Sequence, residues 1–157
     1  MSFAAALDVL QNSAVAHVIS KSNHLVGAIL QVAHIFGIVL LLASLVLATL
    51  RLLGWTLVET PVPVVAREVR RFFRIGVTLA AASGTLMFIA TAKLYGVKPV
   101  FGLKMALFAA AVAVHVLLLS RVLRQENPSQ GAARAAAILS LGLWIGVGFA
   151  GRMIGFV

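Results

Sequence analysis

Four stretches of this chain are so long and so apolar that a bilayer has to be their solvent: about residues 25–53, 70–94, 101–124 and 132–156. An α-helix rises ~1.5 Å per residue, so each run has the 20 or so residues that a hydrocarbon layer ~30 Å thick requires. Only 11% of the residues are charged, less than half of the ~25% usual in soluble domains. The expected fold is therefore all-α, an integral membrane four-helix bundle forming one domain over residues 1–157, with the lipid bilayer as its first partner. The first run begins near Leu25, outlasts the apolar core of a secretory signal, and has no small-residue cleavage pattern after it, so it is expected to stay in the mature protein.

Charge sets the orientation. Arg51, Arg67, Arg70, Arg71, Arg74, Arg121, Arg124 and Arg134 gather at one end of the expected bundle, against Lys21, Lys93, Lys98, Lys104 and Arg152 at the other. Basic residues collect on the cytoplasmic side, so both termini are expected to face the opposite, periplasmic side. The net charge of +9 is thereby explained by topology and anionic lipid headgroups, with no nucleic-acid partner. Trp55 and Tyr95 fall at opposite interfaces, where amphipathic rings anchor helices.

Residues 3–20, within a leading segment 1–22, are too polar and too short to span. Phe3, Leu7, Leu10, Ala14 and Val18 repeat at helical spacing, which predicts an amphipathic helix on the outer surface, placed to cap the open end of the bundle. The link GWTLVETPVPVV is expected to run extended through Pro61 and Pro63 before AREVRRFFR re-enters helix, and YGVKPVFG and QENPSQG make the later turns.

Inside the spans, a polar and small-residue stripe stands out. Gly27, Gln31, His34, Gly37, Leu41, Ser44, Ala48 and Arg51 recur at steps of three and four, so they share one face of the first span and point into the bundle. Lys104, Phe108, Ala111 and His115 do the same on the third, and Gly76, Ala80, Ser83, Gly84, Met87 and Thr91 on the second. The fourth offers Trp144 among Gly142, Gly146, Gly148, Gly151 and Gly155, with Arg152 near its outer end. Such glycines either allow close helix approach or make room for a flat ligand.

Ionisable groups in lipid cost ~2.5 to 3.5 kcal/mol each on insertion scales and mark cavities, cofactors or partners. Asp8, Glu59, Glu68 and Glu126 all lie at span edges, so a carboxylate proton relay is not expected. A neutral imidazole bound to iron would satisfy a buried histidine, which makes His34, and then His115, candidate haem ligands. Lys104 and Arg152 are the candidates to meet propionates. Without cysteine, any haem is held non-covalently, with no disulfide or thiolate ligand available. The depths are ~14 Å for His34 and ~21 Å for His115 from the outer boundary, an awkward offset for two ligands of one iron. The competing reading makes both histidines interhelical hydrogen-bonding residues, and Lys104 a side chain that snorkels to the headgroups.

The order of features, and above all VAHIFG, LRLLG, SGTLMF, PVFGLK and AGR, resembles a bacterial four-helix membrane family catalogued as a domain of unknown function. Gln31 and Ala48 stand where that family often carries acidic residues. More distantly, the His-bearing first span and Lys-bearing third span look like the CopD copper-resistance membrane domain and the HemJ type of protoporphyrinogen oxidase. The HemJ resemblance implies a b-type haem and importance for a histidine and a lysine, which map to His34 and Lys104.

Three functions are thus in play. The first is a haem b protein in electron transfer or a haem-linked oxidoreductase, exchanging electrons with a quinone or a periplasmic redox partner. The second is a non-catalytic subunit packed in a membrane protein complex or homo-oligomer. The third is a copper-handling or permeation protein with a path through His24, His34 and methionines, although Met87, Met105 and Met153 form none of the close motifs that soft Cu(I) favours.

Overall fold

The structure, a computed structural model, describes residues 2–21, 24–125 and 128–156. Glu126, part of the QENPSQG turn, and the side chain of His24 lie outside the described residues. Helices make up 85% of the chain, and no strand occurs among the described residues. Helix α1 spans Phe3–Gln11, α2 Ala14–Lys21, α3 His24–Leu53, α4 Val62–Ala90, α5 Ala92–Gly96 and α6 Pro99–Val114. A π-helical turn, His115–Leu119, and the short α7, Ser120–Val122, continue α6, and α8 runs over Gln130–Met153. Four helical stretches, Leu25–Leu53, Val62–Ala90, Pro99–Val122 and Gln130–Met153, are long and apolar enough to cross a membrane, so this is a multi-pass membrane protein.

The second span starts eight residues earlier than 70, because Pro61 and Pro63 open α4 instead of extending the link: proline at the first turn forfeits no helical hydrogen bond. It also stops at Ala90, where Thr91 breaks the helix and α5 begins. The third and fourth spans begin two residues sooner, at Pro99 and Gln130. At the end of α3, Gly54 takes φ +78°, and its turn is closed by Trp55 N–H donating to Leu50 C=O at 2.9 Å. Arg51 then pins the link, its Nε donating to the Thr60 carbonyl at 2.8 Å.

The leading segment is two helices, not one. Asn12 ends α1, and the Ser13 hydroxyl accepts from the Ala16 N–H at 3.3 Å to start α2. That break changes the phase of the apolar face: Leu7 and Ala16 are buried, while Phe3 and Val18 are exposed. The pair does sit over one end of the bundle, α1 against α5 and α2 against α4. Leu7 abuts Gly96, and the Gln11 side-chain oxygen accepts from Lys93 N–H at 2.8 Å.

Asp8 pairs with Lys93, which holds its carboxyl below the ordinary value of 3.8. A carboxylate depressed on docking supports the docked state above its ordinary value and ceases to as pH falls through the lowered one. We therefore expect α1 to loosen only in strong acid. Because the chain lacks cysteine, a spin label on Ala4→Cys reports this cleanly. Its mobility should rise on acidification below 3.8 and be insensitive to pH in Asp8→Asn. Equal acid response in both proteins would refute the role of this pair.

Packing is uneven along the bundle axis. Leu41, Leu45, Ala48 and Leu52 of α3, Val65, Val69 and Phe73 of α4, Leu119 and Leu123 after α6, and Ala133 to Val147 of α8 form the buried apolar cluster. It lies mainly in the arginine-rich half. Helix α3 packs on α4 and α8, and α6 on α8, whereas α4 meets the α6 segment through ring stacks, Phe73 on His115 and Phe88 on Phe101. The other half, between these stacks, is lined with small and polar residues.

Candidate functional site

His34 is half-buried on α3, and its ring rests against Gly84 of α4, where a Cβ would come within 2.8 Å of Cε1. That approach depends on Gly37 and Gly76, which bring the α3 and α4 backbones into contact. Nδ1 lies 2.8 Å from the Ala80 carbonyl oxygen and 3.2 Å from Ser83 Oγ. A carbonyl oxygen only accepts, so Nδ1 carries the proton. The Ser83 hydroxyl donates its own proton to the Leu79 carbonyl at 2.6 Å. In the neutral ring, Nε2 therefore keeps its lone pair free. Histidines that bind metals are oriented in this way, by donating the opposite ring N–H to a carbonyl.

Lys104 of α6 lies along Gly151 of α8, its Nζ 3.5 Å from where a Cβ would stand, and one turn from Phe101, whose ring stacks on Phe88, itself one turn beyond the Gly84 that His34 rests on. Among the described residues, the one ion pair is Lys93 with Asp8, so no carboxylate neutralises Lys104. The His34 imidazole and the Lys104 amine thus share one half of the bundle, contributed by α3 and α6 and backed by glycines of α4 and α8.

His115 does not join them. Its ring stacks on Phe73 at 3.7 Å between centroids and 5° between planes. Phe73 precedes Ala80 and Gly84 on α4 by seven and eleven residues, so the two histidines are separated by about 10 to 16 Å along the axis at ~1.5 Å per residue. Two axial ligands of one iron have to be far closer than that. His115 belongs instead to a core cluster with Phe73, Trp144 and Phe108, the indole standing edge-on to both phenyl rings at 5.7 Å. In this half, His115 Nδ1, Ser140 Oγ and Trp144 Nε1 are buried with no hydrogen-bond partner among the described residues. Arg152 is also apart: it is exposed, and its guanidinium covers the Phe156 ring at 4.5 Å.

The stripe on α3 is only partly internal. Gly37, Leu41, Ser44 and Ala48 are buried, but Gly27 and Gln31 are exposed. Among the described residues, no three His, Cys, Asp or Glu side chains gather to hold a metal ion. Two surface grooves, of about 400 and 280 Å³, are lined by neither His34 nor Lys104.

Ser83 and Ala80 escaped sequence reasoning as partners of His34. The i, i+3 spacing on a small-residue face signalled proximity to some neighbour but did not say which. A family model described as "Family of unknown function (DUF6644)" matches residues 10–157. The chain belongs to this DUF6644 family. Neither the curated proteins nor the solved structures yield a match.

Proposed function

We propose that this DUF6644 protein binds haem b non-covalently, with His34 Nε2 as the iron ligand and Lys104 meeting a propionate, and that it serves electron transfer or a haem-linked oxidoreduction. One observation carries the reading: the His34 ring is held by a Nδ1–H bond to the Ala80 carbonyl, which leaves the Nε2 lone pair free in the neutral ring. The donor set fits the group. A neutral imidazole is an ordinary axial ligand, and an ammonium in a region of low dielectric suits a carboxylate. Bound haem would supply one-electron exchange, while the chain supplies ligation, orientation and exclusion of water. The arginine-rich end would face the cytoplasm of a bacterial inner membrane, with both termini periplasmic and a quinone or a redox protein as electron partner.

The test is a reduced-minus-oxidised visible spectrum of detergent-purified protein grown with ample haem. Sharp b-type bands are expected in the wild type and in His115→Ala, and their loss in a folded His34→Ala. A featureless spectrum from helical, monodisperse wild-type protein would overturn the haem reading. His34 would then be an interhelical tie in a non-catalytic subunit, a role for which the same Ala80 bond also speaks.

A further inference from the structure

At the arginine-rich end, the α6 segment and α8 part to leave a groove of about 280 Å³, lined by Leu117, Leu118, Arg121, Ala132, Ala135 and Leu139 among others. Its origin is local. The π-helical turn His115–Leu119 inserts extra length into the helix and re-aims the leucines that follow its first residue. Opposite them, α8 presents alanines, too short to fill the space. Leu117, Leu118 and Leu139 are each about half exposed, so the groove opens sideways toward lipid.

Arg121 stands one turn beyond Leu117, at the groove's end. The antiparallel register of α6 with α8, in which Lys104 meets Gly151 and Leu107 meets Gly146, brings Arg134 to the level of Arg121, on another face of α8 from the alanines that line the groove, and Arg124 follows one turn on. Among the described residues, no carboxylate pairs with any of the three. The groove is thus an apolar trough with the Arg121 guanidinium at one end.

We infer that this groove binds one acidic phospholipid, with an acyl chain along Leu117, Leu118 and Leu139 and the phosphate on Arg121, with Arg124 one turn further along the same segment. The charge arrangement selects the occupant. A zwitterionic headgroup would bring its own cation to an arginine cluster, whereas an acidic headgroup adds only complementary charge. Guanidinium binds phosphate oxygens in a fork that an ammonium lacks. Basic pockets between membrane helices recognise acidic headgroups on the same principle. The inference does not depend on the haem reading, because the groove lies in the opposite half of the bundle from His34.

Native mass spectrometry of the detergent-purified full chain tests it, with phosphatidylglycerol or phosphatidylcholine added at equal concentration. The wild type is expected to retain one phosphatidylglycerol in preference to phosphatidylcholine. Arg121→Gln should weaken that retention about fivefold, and Ala135→Leu, which fills the trough at an exposed position, should reduce it as well. Arg67→Gln, which removes an exposed arginine outside the groove, should leave it unchanged. Equal retention of the two lipids, an equal loss in Arg67→Gln and Arg121→Gln, or equal thermal stabilisation by inorganic phosphate alone would each overturn the proposal.

Discussion

Replacing Gly37 with alanine is expected to destabilise the protein by ~3 kcal/mol, at the upper end of the cost of overpacking. The added Cβ would stand 2.6 Å from the Ala80 nitrogen and 2.8 Å from the Gly76 carbonyl oxygen, and both are backbone atoms with no rotamer to yield. The reciprocal change, Gly76→Ala, meets the Leu41 nitrogen at 2.6 Å and should behave alike. Helix propensity opposes this expectation, since alanine is favoured over glycine by about 1 kcal/mol in a helix interior. The sign of the measured change thus decides which effect governs the α3–α4 contact. Gly142→Ala is the control, because nothing lies within 4 Å of a Cβ there, and it should be neutral or stabilising. Thermal unfolding in detergent, followed by helical circular dichroism, makes the comparison. If Gly37→Ala melted no lower than Gly142→Ala, the backbone contact would not hold α3 and α4 together. The same variant pushes His34 away from Ala80, so under the haem reading it should also weaken the b-type bands.

That contact shows why part of the molecule was legible in the sequence and part was not. Span number and the arginine-rich end follow from local composition, and they hold in the structure because hydrocarbon thickness and charge act on each segment separately. Gly37 and His34 share a face by helical spacing alone, so their inward placement could also be read. Which glycines carry a close crossing could not be read, since this depends on the partner helix. The α8 glycines looked like the crossing motif, yet Gly142 and Gly148 meet nothing within 4 Å, and the backbones touch at Gly37 and Gly76 instead. Likewise, the break at Asn12 and Ser13 rests on the Ser13 hydroxyl, which caps the start of α2 and overrode an apolar repeat that ran through it. The separation of His34 from His115 arises from relative helix register, a property of no single segment.

This register divides the bundle into two levels with different work, and Phe73→Ala tests the division. Phe73 is 7% exposed, stacks on His115 and receives the edge of Trp144, so truncation should leave a cavity costing about 3 to 5 kcal/mol. The loss should be read as a lower thermal midpoint. It should also couple to its neighbours: combined with His115→Ala, the total should depart from the sum of the single changes by ~0.5 to 3 kcal/mol, as for residues in contact. Combined with His34→Ala, the two effects should add to within ~0.5 kcal/mol, because sites more than about 7 to 10 Å apart rarely couple. Under the haem reading, Phe73→Ala should keep the wild-type band positions while it melts early, since His34 and Lys104 lie beyond its reach. Strong coupling between Phe73 and His34, or bands displaced in Phe73→Ala, would mean that the two levels act as one site and would return His115 to consideration as part of it.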